Sequence, residues 1–60
     1  MSVVPTHMYL SSVVVADDIL SVALEAATDV VKELESGRNE IIFDILVSYR
    51  DGWEVTIYYK

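Results

Sequence analysis

One histidine, no cysteine and a handful of scattered serines give this chain of 60 residues little covalent chemistry to work with. A serine nucleophile needs a base beside it and a strained turn to present it, and Ser2, Ser11, Ser12, Ser21, Ser36 and Ser48 sit in no such elbow. His7 would need carboxylates from distant positions to hold zinc, and without Cys there is neither a thiolate site nor a disulfide framework. Gly37 and Gly52 belong to no phosphate-cradling loop. These residue types imply no catalytic group, no metal and no cofactor, so an enzyme is not expected.

Carboxylates are the abundant functional group. Ten acids against four bases leave a net charge of −6, which disfavours direct contact with nucleic acid and suits a basic protein partner. Asp17-Asp18 is an adjacent pair, read here as helix capping because no second acidic cluster accompanies it. Glu25, Asp29 and Glu33 recur at i, i+4 and i+8, with Asp18 placed one step further along the same row. Like charges at that spacing cost a helix about 0.2–0.5 kcal/mol each, the opposite of what a purely structural helix selects. A solvated face explains the row blandly. The sharper reading is a ladder of carboxylates that imitates phosphates toward a nucleic-acid-binding protein.

Rings form the second group: Phe43, Tyr49, Trp53, Tyr58 and Tyr59 gather near the C-terminus, where cross-strand packing explains them first. A ring-binding surface between subunits is the alternative.

Positioning these groups falls to few elements. Apolar and polar residues alternate on either side of Arg50-Asp51-Gly52, which predicts a hairpin of strands over 40–49 and 53–60. A two-residue loop would mix the faces. A three-residue loop, with Arg50 and Asp51 in a type I turn and Gly52 left-handed, sets Tyr49 opposite Trp53, Val47 opposite Val55, Ile45 opposite Ile57 and Phe43 opposite Tyr59, all on one buried surface. Ile42, Leu46, Thr56 and Tyr58 are then expected outside, as a patch for a partner or another subunit. Residues 6–15 read as a strand, with Pro5 holding its start at an edge and His7 and Tyr9 sharing a face. A helix is predicted over 18–36, capped by Asp17 or Asp18 and ended by a left-handed Gly37. Its apolar arc is wide: Ala23, Ala26 and Ala27 lie mid-arc for close approach to a sheet, while Leu20, Leu24 and Val31 form a flank expected to meet a second subunit.

The order β-α-β-β predicts an α+β fold, a two-layer sandwich of one helix on a three-stranded sheet, with the third strand in the centre and oligomerisation completing it. That order and the ending Trp53-Glu54-Val55-Thr56-Ile57 resemble dodecins, small flavin-storing oligomers, over topology and about five residues, with a shorter hairpin. The resemblance implies a homo-oligomeric carrier of an aromatic ligand such as a flavin. No apolar run reaches the roughly 18 residues of a membrane span, and no positive charge precedes an apolar stretch at the start, so a cytoplasmic place in the producing or host cell is expected. The residues together point to a non-enzymatic acidic interaction domain, of the kind a phage uses to block a nucleic-acid-handling protein.

Overall fold

The computed structural model describes residues 10–60, which run in the order strand β1 (Ser11–Asp17), helix α1 (Leu20–Lys32) with a π turn continuing it (Glu33–Gly37), strand β2 (Ile42–Tyr49) and strand β3 (Trp53–Tyr59). The fold is α+β, one helix on an open antiparallel sheet of order β1-β3-β2. Strand β3 takes the centre, antiparallel to both neighbours, so β1 and β2 run parallel to each other. Pro5, His7, Tyr9 and the first part of the strand expected from residue 6 lie outside the described residues.

The three-residue loop holds: Tyr49 faces Trp53, Val47 faces Val55 and Ile45 faces Ile57. The Tyr49 and Trp53 rings meet edge to face at 5.1 Å. Gly52 is not left-handed, since no glycine has a positive φ. The loop closes instead with the Arg50 N–H donating to the Gly52 carbonyl at 3.1 Å. A second correction falls at the other end of β2, where a bulge between Ile42 and Asp44 sets Ile42, not Phe43, opposite Tyr59. The extra residue moves Ile42 to the helix side of the sheet, where it packs against the core.

Helix α1 starts two residues later than expected. The Asp17 carboxylate accepts the Ile19 N–H at 2.9 Å, and that local turn holds Ile19 extended (φ −108°, ψ 122°) at the N-cap position. Neither Asp17 nor Asp18 caps the helix. At its far end the last turn widens, the Arg38 N–H reaching the Glu33 carbonyl at 3.1 Å and the Glu40 N–H the Leu34 carbonyl at 2.8 Å. Asn39, at φ 56°, takes the left-handed position assigned above to Gly37. Gly37 is useful for another reason: a Cβ there would come within 2.7 Å of a Glu33 carboxylate oxygen. Arg38 steadies the connection, its guanidinium 5.6 Å from the Tyr59 ring centroid and 3.7 Å from the Glu40 carboxylate.

Ala23, Ala27 and Leu34 bury completely against Val55 and Ile57 on the central strand. Small side chains at the helix centre let it sit close, and its main contacts are with β3 and β1. A helix about 10 Å across covers two strands at about 4.8 Å spacing, not three. The third is β2, so the expected single buried surface is only half covered: Ile45 and Val47 are each 47% exposed and Tyr49 is 64% exposed.

Candidate functional site

Cross-strand register lays out both faces of the sheet. On the helix side the rows are Ser11·Tyr59·Ile42, Val13·Ile57·Ile45, Val15·Val55·Val47 and Asp17·Trp53·Tyr49; on the outer side they are Ser12·Tyr58·Asp44, Val14·Thr56·Leu46 and Ala16·Glu54·Ser48. Leu46, Thr56 and Tyr58 therefore share the outer face as expected, and Ile42 does not join them. That face has one apolar row set among polar ones. The helix side of β2 is the more apolar surface.

There Leu24, Thr28, Val31 and Glu35, spaced as one stripe of a helix, form a groove of about 410 Å³ with Ala27, Lys32 and Ile45. The expected flank is thus partly assembled: Leu24, 42% exposed, and Val31 line the groove, while Leu20 lies half-buried a turn away. Ile45, Val47 and Tyr49 were not expected at an open surface. The 53% hydrophobic composition signals that apolar surface is left over in so small a domain, but not on which strand.

The acidic row separates into two groups. Glu25 and Asp29 stand exposed on α1, about 110° around the helix from the Leu24–Glu35 stripe at about 100° per residue. Glu33 is also exposed, with its carboxylate folded over Gly37. Asp18 precedes the helix and lies instead at the hairpin end, with a carboxylate oxygen 3.1 Å from where a Gly52 Cβ would stand. It lines a cleft of about 500 Å³ with Asp17, Arg50, Asp51 and Glu54. Among the described residues no group of three or more His, Asp or Glu could hold a metal ion. No helix among them is long and apolar enough to cross a membrane.

Among the described residues β2 pairs with β3 alone and forms one edge of the sheet. Ile41 and Lys60 exchange both backbone hydrogen bonds, and beyond the bulge the ladder alternates so that Ile45, Val47 and Tyr49 turn their N–H and carbonyl groups away from β3. The Ile45 N–H donates to its neighbour's carboxylate, Asp44 Oδ1, at 2.8 Å. No family model matches this chain, and no curated protein or solved structure matches it.

Proposed function

We propose that this chain is a non-enzymatic protein-interaction domain that docks on a basic, nucleic-acid-handling protein and blocks it, in the cytoplasm of the producing or host cell. The observation that carries the reading is the placement of Glu25 and Asp29, exposed together on α1 about 110° around from the groove that Leu24 and Val31 line with Thr28, Lys32 and Glu35. A net charge of −6 adds long-range attraction for a positive groove.

The test compares the native chain with the E25K/D29K double variant as immobilised baits in extract of the source cell, with retained proteins identified and then challenged with duplex DNA. The reading expects a nucleic-acid-binding protein held by the native chain, released by DNA and lost from the variant. Equal retention by both, or retention indifferent to DNA, contradicts it. The carrier reading finds support in the groove beside Leu24 and Ile45. A flavin titration that quenches Trp53 fluorescence would favour it over docking.

A further inference from the structure

Asp51-Gly52 lies in the loop between β2 and β3, with Asp51 exposed to solvent. The pair sets an electrophilic carboxyl carbon one residue ahead of a backbone nitrogen that no Cβ shields. This nitrogen is also unengaged: the Arg50 N–H donates to the Gly52 carbonyl at 3.1 Å, whereas the Gly52 N–H has no acceptor among the described residues.

The other described Asp and Asn residues lack one or both conditions. The nitrogen after Asp18 donates to the Asp17 carboxylate at 2.9 Å, which engages Asp17 as well. After Asn39 the nitrogen donates to the Leu34 carbonyl at 2.8 Å, and after Asp29 it lies inside α1, where the helix ladder takes it. Asp44 is followed by the β-branched Ile45 within β2, whose N–H already donates to Asp44 Oδ1 at 2.8 Å.

We infer that Asp51 is a site of spontaneous backbone modification, converting through a succinimide to isoaspartate. The inference does not rest on the docking reading above. The Gly52 nitrogen attacks the carboxylic acid carbon of Asp51: a C–N bond forms, a C–O bond breaks, and the hydroxyl departs with the nitrogen's proton as water. Water then adds at either ring carbonyl and reopens the ring. Opening at the former side-chain carbonyl restores Asp51. Opening at the main-chain carbonyl leaves Gly52 joined through the side-chain carbon and frees the main-chain carboxylate, so composition and charge are unchanged. The backbone gains one methylene in a three-residue loop that sets Tyr49 opposite Trp53. Their edge-to-face ring contact at 5.1 Å closes the hairpin next to that loop, where a longer connection loosens it.

The test incubates the native chain, G52A and D51E at neutral pH, labels isoaspartyl carboxylates with an isoaspartate-specific protein methyltransferase, and locates the label by peptide mass spectrometry. The native chain is expected to accumulate label at position 51, together with a fraction lighter by one water. G52A should accumulate about tenfold less, since the added Cβ shields the nitrogen, and D51E none, since it would have to close a larger ring. A Cβ at Gly52 comes within 3.1 Å of Asp18 Oδ1, the end of a side chain that can turn aside, so G52A keeps the loop. The isoaspartyl fraction should unfold at lower urea than the fresh chain, while incubated D51E matches fresh D51E. The proposal is overturned by absence of label at position 51, by more label at Asp18 or Asp44 than at Asp51, by G52A labelled as fast as the native chain, or by an isoaspartyl fraction as resistant to urea as the fresh chain.

Discussion

Asn39 and Gly37 exchange the duties that residue type alone would give them. Gly37 has no positive φ, so its value is room for the Glu33 carboxylate, the end of a flexible side chain that can move aside. Gly37→Ala is therefore expected to be neutral or to stabilise by about 0.4–1 kcal/mol through the unfolded chain. Asn39 does hold a left-handed backbone, so Asn39→Val should cost about 1–2 kcal/mol while Asn39→Gly stays close to neutral. Urea unfolding of the three variants checks the assignment, and a larger loss at Gly37 than at Asn39 would reverse it. In the same way Asp17 forms a local turn with Ile19 rather than capping α1, which detaches Asp18 from the acidic row. A one-dimensional row of spacings cannot show this, because it presumes that the helix already includes the residue.

Helix α1 and strand β3 carry the stability of the domain. Ala23 is 1% exposed over Val55 and Ile57, both fully buried, so Ala23→Leu overpacks the contact and should cost about 1–3 kcal/mol in urea. Ile57→Ala empties the centre of the sheet and should cost about 2–5 kcal/mol. The hairpin was legible because period-two alternation and the Arg50-Asp51-Gly52 loop fix register together, and Tyr49–Trp53 through Ile45–Ile57 follow from them. The bulge at Phe43 was not legible. Nothing in Ile41-Ile42-Phe43-Asp44 distinguishes a bulged residue from a paired one, since all three apolar side chains suit a strand. The late helix start and the π turn likewise depend on hydrogen bonds whose geometry forms only once the sheet exists.

As a whole molecule, the domain is a sheet with a roof over two of its three strands. Covering a half-exposed Ile or Val side chain contributes about 1 kcal/mol, so the open side of β2 holds several kcal/mol that a lone chain does not use. The sequence announced that surplus through a 53% hydrophobic composition in a domain too small to hide it, but not which strand would be bare. Charge is distributed to match: acids on the α1 flank and at the hairpin end, and a nearly neutral β2 between. The most direct test is amide hydrogen exchange at Val47 and Tyr49, followed by NMR in dilute solution, with Ile57 as the buried reference. A helix that roofs only β1 and β3, with β2 at the sheet edge and its Val47 and Tyr49 amides turned outward, predicts rapid exchange at both while Ile57 stays protected. Protection at Val47 and Tyr49 as full as that at Ile57 would contradict it.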